Sequence, residues 1–363
     1  MSDTARRILN VAIVGCGIGQ HHIVEGYLPN ADRFRLLALC DLNPERLNAT
    51  ADEFGIARRV SNFDDLLGMD DIDIIDICTP PGAHFVMVDA ALKAGKHVVC
   101  EKPLVGSLRD VDAIMAVEQG AQGLLMPVFQ YRFGDGIEQA RAIIAAGIAG
   151  KPYCGTVETF WRREAPYYAV PWRGKWKTEL GGVLMGHAIH PHDIFTYLMG
   201  DIARVFGRVA TRVNDIEVED VISASLEMES GALASFTATL GSVDEITRIR
   251  LQFEHVTFES DHAPYSPGKK PWKILPRTDA VKAQIDGVLR NWVHVPAGFQ
   301  TQMARFHDAI LGRGALPVTS ADSRRALELV TAFYHSSATG TDVTLPLGPD
   351  HPLYDSWVPA AHR

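Results

Sequence analysis

Val11-Ala12-Ile13-Val14-Gly15-Cys16-Gly17-Ile18-Gly19-Gln20-His21-His22 decides how the rest of the chain is read. Four apolar residues make a short buried strand. The glycines let the backbone turn sharply and leave room for a ligand against it. A helix opening here aims its free N–H groups and positive dipole end at whatever lies on the loop. Strand, glycine turn and helix, in that order, read as a dinucleotide pyrophosphate site. The spacing is G-x-G-x-G, with Gln20 where a G-x-G-x-x-G pattern has its third glycine. Gly15, Cys16, Gly17, Ile18, Gly19 and Gln20 are the first expected cofactor contacts.

Similar apolar runs follow at 36–40, 74–78, 98–100 and 124–129. Short bounded runs suit a parallel sheet covered on both faces. Helix signals lie between them. Asn43-Pro44 supplies an N-cap and a first-turn proline, Gly55 a stop, Ser107-x-x-Asp110 a capping-box-like start, and Gly95 another stop. Repeated βα units predict a doubly wound α/β domain. Asp41 ends the second run, 26 residues after Gly15. A carboxylate there accepts from the adenosine ribose and repels a 2′-phosphate, which favours NAD over NADP. Leu42 and Arg46 flank it, and Arg46 blurs that preference.

Beyond residue 128 the pattern changes. Ile222, Ala224, Leu226 and Met228 alternate with polar residues, Ser230-Gly231 turns, and Ala234, Phe236 and Ala238 alternate again, as do Ile249, Leu251 and Phe253. Period-two segments predict an antiparallel sheet with one covered face. Phe299, Met303, Phe306 and Ile310 have helical spacing, as do Leu327, Val330 and Tyr334, so these helices cover the sheet or pack on the first domain. Residues 261–276, with four prolines and three lysines, read as a loop. The expected division is 1–128 for cofactor and 129–363 for substrate and oligomerisation.

The 363 residues are 47% hydrophobic and 22% charged, which is ordinary for a globular chain and excludes a disordered one. A net charge of −9 argues against nucleic acid and anionic membrane as partners. No apolar stretch nears the roughly 18 residues of a membrane span. Arg6-Arg7 before an apolar run resembles an export signal, but the run breaks at Gly15 and reads as a strand. Five cysteines without a C-x-x-C pair fit a reducing compartment, hence a cytoplasmic protein.

Thr79-Pro80-Pro81 and Glu101-Lys102-Pro103 end two of the first-half strands, where ligands of such sheets bind. Lys102 is a candidate acid/base, its amine neutralised by burial and a nearby cationic ring; a lysine paired with Glu101 at the surface is the plainer alternative. His187-x-x-His190-x-His192-Asp193 holds ligand types for a divalent metal, but no cysteine supports a site and no metal is expected. His192 is expected at the surface, while Asp193 either orients His190 or pairs locally. Gln130 and Arg132 follow the last first-half strand. Trp161, Tyr167-Tyr168 and Trp172-Arg173 supply aromatic faces and donors suited to a sugar; the arginines could instead hold an acidic group.

These stretches, with "ICTPPGAH", "ALKAGKHVVCEKPL" and "GGVLMGHAIHPHD", resemble the Gfo/Idh/MocA oxidoreductase family along nearly the whole chain. The resemblance implies a Rossmann domain joined to an α/β domain with a large, mostly antiparallel sheet. It implies hydride transfer between NAD and a secondary hydroxyl of a sugar, inositol or related polyol. Carried over, Thr79, Pro80, Pro81, His84, Glu101, Lys102, Gln130, Trp172 and Arg173 join the cofactor set. Lys102 becomes the catalytic acid/base, with His190 bonding the reacting hydroxyl. Arg132, Trp161, Trp172, Arg173, His187 and Asp193 join Lys102 and His190 on the substrate. A cis Lys102–Pro103 bond and a homo-oligomer, dimer or tetramer through the second sheet, are further expectations. Gly186 departs from the family, whose members often carry Asp or Asn there, which opens the proton path to His187 or a water. Two alternatives remain: a glycosidase oxidising its substrate transiently with bound NAD, and a non-catalytic NAD-binding regulator.

Overall fold

The computed structural model describes residues 7–362; Arg6, half of the Arg6-Arg7 pair, lies outside the described residues. The chain forms two compact units. The first ends at Phe129 and regains the chain over Phe299–Arg324; the second holds Gln130–Gly298 and the stretch from Arg325 onward. An uninterrupted second half from 129 to 363 is therefore not what the chain forms.

In the first unit, β1 (Leu9–Val14), β2 (Phe34–Cys40), β3 (Arg58–Val60), β4 (Ile74–Ile77), β5 (His97–Cys100) and β6 (Leu125–Pro127) make one sheet in the order β3-β2-β1-β4-β5-β6. All its pairings are parallel. The order reverses between β1 and β4, which places a crevice outside their carboxyl ends, at Gly15 and Cys78-Thr79. The local signals act as read. Asn43 Oδ1 accepts from the backbone of Glu45 and Arg46, Gly55 closes that helix with φ 66°, and Ser107 caps Leu108–Glu118 through the Asp110 N–H. β3, three residues with two arginines, is an edge strand that no apolar run announces.

The helix Phe299–Ile310 belongs to this unit. Gly26 makes the fit: a Cβ there would lie 3.2 Å from Met303 Cγ and 3.3 Å from Phe299 Cβ. Asn30 Nδ2 donates to Gly26 O and Gln300 O, and Gln302 Nε2 to Pro127 O. Apolar spacing showed a helix; the partner was set by a glycine and two amides.

The second unit is built on an eight-stranded sheet of β7 (Pro152–Arg162), β8 (Ile202–Ala210), β9 (Val221–Met228), β10 (Leu233–Thr239), β11 (Gly241–Phe253), β12 (Val256–Glu259), β13 (Lys273–Pro276) and β14 (Val343–Thr344). Their order is β13-β12-β11-β7-β10-β9-β8-β14. Only β7–β10 pairs in parallel among its described ladders. β13 lies inside the stretch expected to be loop; its Pro276 is tolerated because it ends an edge strand. One face is apolar and carries Phe236, Ile249 and Leu251. The helix Ile189–Met199 packs there, with Phe195 and Phe236 edge to face at 4.8 Å. The other face is polar, with Arg248 paired to Glu158 and Glu259.

Candidate functional site

The three loop glycines have different reasons. Gly15 has φ 98°, and a Cβ would sit 2.6 Å from the Cys78 carbonyl oxygen. Gly19 would drive a Cβ to 2.8 Å from Ile13 Cγ2. Both are required by the protein's own packing. Gly17 has nothing within 4 Å of a Cβ, so this point of the loop is open to an approaching ligand. Gln130 Oε1 is buried without a hydrogen-bond partner. The open glycine loop, by itself, fits the pyrophosphate of a dinucleotide.

Asp41 is buried under this loop. Its Oδ2 accepts from the Cys16 N–H and Arg46 Nε, both at 2.8 Å; its Oδ1 accepts from the Asn43 N–H at 2.8 Å and Arg46 Nη2 at 2.7 Å. Burial alone would raise this carboxyl; Arg46 and the two backbone donors outweigh it and hold it below its ordinary value. Leu42 is 90% exposed and Ile18 41%, while Gln20 Nε2 is bonded to Thr50 Oγ1. Burial raises the Cys16 thiol to about 11, so it is an inert part of the loop.

The turns after β4 and β5 are tied together. His84 is buried, with Nδ1 at 2.8 Å from Pro103 O and Nε2 at 2.8 Å from Thr79 O. Burial works against charge on this ring and lowers its pKa, while the two carbonyls pull the other way. The Lys102–Pro103 bond is cis, as expected. Glu101 does not leave the sheet as a surface acid: its Oε1 lies 2.9 Å from His22 Nε2 and its Oε2 accepts the Lys102 N–H at 3.0 Å. His22 Nδ1 is 2.8 Å from Asp76 Oδ2, which Tyr27 Oη also reaches at 2.9 Å. Neither His22 nor Asp76 was among the expected site residues; the only sign of Asp76 is an acid inside an apolar strand.

In the second unit, Gly181-Gly182 opens the segment that carries the histidines. Gly182 N donates to both oxygens of Glu219 at 3.0 Å, Leu184 N joins it at 3.0 Å, and a Cβ at 182 would lie 1.7 Å from Glu219 O. Glu219, which no sequence signal marked, thus holds the start of the π-helical turn Leu184–Ala188 that runs into Ile189–Met199. Burial pushes its carboxyl up to about 7 against those donors. A π-helical turn inside a helix is a common mark of a functional site.

His190 lies with its ring 4.6 Å from that of Tyr131. His187 faces Trp161 edge to face at 5.2 Å, and the Tyr167 hydroxyl is 3.4 Å from its Nε2. Arg173 lies over Tyr167 at 4.0 Å and Trp172 at 4.3 Å, and pairs with the buried Glu179 at 3.2 Å. Arg163 lies over Trp161 and Tyr265. The nearest atom to a Cβ built on Gly186 is Glu179 Oε1, at 3.9 Å.

Three expectations change here. Arg132, expected at the substrate, forms a buried bidentate pair with Asp193, at 2.6 and 2.5 Å, with side chains 3% and 2% exposed, so that of the two readings of Asp193 it is the pairing that is seen. They brace the helix against the chain beside Tyr131. His192, expected at the surface, is buried and stacked on Phe236 at 4.5 Å. Burial lowers it to about 3, so it is a neutral core residue. Trp161 is 3% exposed, with its Nε1 donating to Thr247 Oγ1, and meets the site through His187.

The fold and these two clusters define a dinucleotide-dependent oxidoreductase, and the comparisons agree. Residues 9–129 match the model described as an oxidoreductase family with an NAD-binding Rossmann fold, and residues 137–259 match the Gfo/Idh/MocA C-terminal domain. The chain belongs to the Gfo/Idh/MocA family, and its cofactor is NAD. It is similar to the D-apiose dehydrogenase of Paraburkholderia graminis, 28% identical over 355 residues that cover 92% of this chain and 89% of that protein. The myo-inositol 2-dehydrogenase of Thermotoga maritima is 27% identical over 238 residues, 62% of this chain and 66% of that protein. Among solved structures, the WlbA dehydrogenase of Bordetella pertussis, in complex with NADH and UDP-GlcNAcA, has a TM-score of 0.82 at 28% identity and covers 94% of this chain and all of that one. No helix among the described residues is long and apolar enough to cross a membrane.

Proposed function

We propose that this NAD-dependent enzyme oxidises a secondary hydroxyl of a sugar, inositol or related polyol, with Lys102 as the acid/base and His190 as the group that orients the hydroxyl. The observation that carries the reading is the Glu101-Lys102-Pro103 turn. It ends β5 outside the sheet's carboxyl edge, is tied through His84 to the turn at Thr79, and lies in the half that matches an NAD-binding family model. NAD, when bound, supplies the acceptor for the hydride. Gly15, Gly17 and Gly19 cradle the pyrophosphate, Asp41 with Leu42 and Arg46 receives the adenosine end, and Thr79, Pro80, Pro81 and Gln130 complete the cofactor set.

Lys102, as a neutral amine, takes the hydroxyl proton while hydride leaves the same carbon; in reverse, its ammonium stabilises the developing alkoxide. His190 orients the hydroxyl through a ring nitrogen. Glu179 supplies a carboxylate at the point that Gly186 leaves empty of side chain. His187, Trp172 and Arg173 read the remaining substrate, with Arg173 held flat by two rings and Glu179. A guanidinium fixed in that way also suits an acidic sugar, a reading in keeping with the UDP-GlcNAcA bound to WlbA. A homo-oligomer through the second sheet belongs to the same reading, and an odd number of cysteines without a C-x-x-C pair suits the cytoplasm.

The test is reduced-nicotinamide absorbance at 340 nm with NAD against polyols, aldoses, inositols and uronic acids. Lys102→Ala is expected to lower turnover at least a thousandfold with the NAD Kd within about threefold. Near-normal activity in that variant removes Lys102 from its role. NAD binding without net NADH release, but with aglycone release from a glycoside, would point to transient oxidation. Binding with no turnover of any kind would point to a regulator.

A further inference from the structure

The cluster beneath the Glu101-Lys102 turn carries more than packing. His22 and Asp76 are fully buried, Glu101 is 7% exposed, and all three lie in the first unit with Tyr27 and Cys78. The imidazole stands between two carboxylates, with Nδ1 at 2.8 Å from Asp76 Oδ2 and Nε2 at 2.9 Å from Glu101 Oε1. A neutral imidazole has one N–H and one lone pair. Between two carboxylates it would turn that lone pair on an oxygen lone pair at hydrogen-bond distance.

Three further donors meet the two acids. Tyr27 Oη donates to Asp76 Oδ2 at 2.9 Å and the Lys102 N–H to Glu101 Oε2 at 3.0 Å; the Cys78 sulfur lies 3.4 Å from both Asp76 Oδ1 and His22 Nδ1, and with a proton on Nδ1 its thiol donates to the carboxylate. Both carboxylates are therefore served as acceptors, which suits their ionised forms, and the remaining proton belongs on the ring. The Phe299 ring packs on the imidazole at a centroid distance of 4.4 Å, a favourable contact for a cation.

His22, Asp76 and Cys78 are also ligand types for zinc. The spacing argues otherwise. Ligand atoms about 2.0–2.1 Å from a tetrahedral zinc stand about 3.3 Å apart. The 2.8 Å between Nδ1 and Oδ2 is the span of a shared proton.

We propose that His22 is a doubly protonated strut that ties Asp76 to Glu101 and so positions the Lys102 turn. It is a positioning residue: fully buried, it acts through Glu101. The groups facing it are Asp76 from β4, Cys78 just beyond, Glu101 from the end of β5, Tyr27 from its own helical segment and Phe299 from the returning helix. Burial works against charge on the ring, but Asp76 and Cys78 outweigh it and raise His22 well above its ordinary value. The positional half of the inference rests on the reading of Lys102 as the acid/base; the protonation half does not.

The test uses the full chain with NAD, labelled with ¹⁵N-histidine, in long-range ¹H–¹⁵N spectra at pH 8.5. One imidazole is expected with both nitrogens protonated, and His22→Gln is expected to remove it. If that variant does not fold, Tyr27→Phe, which takes one donor from Asp76, identifies the signal by shifting it. A His22 signal with a bare nitrogen overturns the proposal, a bare Nε2 calling for the proton on Glu101 and a bare Nδ1 for a donor from Asp76 or Cys78. Stoichiometric zinc in the purified protein, lost in His22→Gln, overturns it as well.

The second arm is turnover of a sugar that the wild type oxidises. His22→Gln is expected to lower kcat about 10- to 100-fold, with KM for NAD within about threefold and the kcat pH profile displaced. A kcat within twofold of wild type, with an unmoved profile, overturns the positioning role. Because Lys102→Ala is measured alongside, loss of the acid/base reading shows separately, as activity retained in that variant.

Discussion

Replacing Arg46 with alanine should sharpen the preference for NAD. An ionised carboxylate has about four acceptor positions. Asp41 has filled four, two with backbone N–H groups and two with the Arg46 guanidinium. The ribose diol of NAD can be accepted only where Arg46 withdraws. Half of the Arg46 side chain is exposed, so the ion pair, though bidentate, contributes about 1 kcal/mol at most. Freeing Asp41 should therefore tighten NAD by up to about fivefold. The same guanidinium, bonded to the acid that would meet that ribose, is a cation at hand for a 2′-phosphate. Its loss should weaken NADP by about 1.5 kcal/mol, the low end for a charge-assisted bond at an exposed group, or roughly tenfold. Together the NAD-to-NADP affinity ratio should rise about 50-fold in Arg46→Ala. Arg46→Lys, which keeps charge but loses the fork, should fall between. Calorimetric Kd values for both dinucleotides, at one ionic strength, read this without a substrate. A ratio that moves less than about threefold, or moves toward NADP, would refute the reasoning.

The loop glycines make a paired test. Gly17→Ala places its methyl in open space, so Tm should stay within about 2 °C while NAD binding weakens at least tenfold. Gly182→Ala places a Cβ 1.7 Å from Glu219 O and should cost at least about 3 kcal/mol, read by urea unfolding. Glu219 gives a pH signature. Its folded pKa, about 7, lies above its ordinary value of 4.5, so its contribution to stability is whole below pH 4.5 and declines as pH rises through 7. Wild type should lose up to about 3 kcal/mol more than Glu219→Gln between pH 4.5 and 8. Parallel slopes in the two proteins would mean that the carboxylate's donors fully offset its burial.

Much of this was legible from local pattern. The apolar runs became β1, β2, β4, β5 and β6, and the alternation of 222–228 and 234–238 became β9 and β10 with the apolar residues inward. Caps at Asn43 and Ser107 needed only three or four residues to be read. What stayed hidden depends on residues far apart in sequence. His22 meets acids 54 and 79 positions on, and Arg132 meets Asp193 after 61. A histidine with two acids and an arginine with an aspartate look like ordinary surface polarity until the chain brings them together. His192 was misplaced because its helix is buried on almost every side, so helical spacing could not tell an outer face from an inner one. Gly186 was legible as a gap; that Glu179 stands beside it was not.

The helix Phe299–Ile310, which returns to the first unit, also governs how the molecule comes into being. A nascent chain that has reached Phe129 holds every strand of the cofactor sheet, yet lacks the segment that covers Gly26 and the His22 ring. At about 5–20 residues per second, that segment emerges roughly 10–35 s later, after most of the second sheet has been made. The first unit must wait in an incomplete form while its neighbour is synthesised. For the same reason, a fragment cut at residue 129 should behave as a sticky, partly open sheet, while one joining residues 7–129 to 299–324 through a short linker has the means to close.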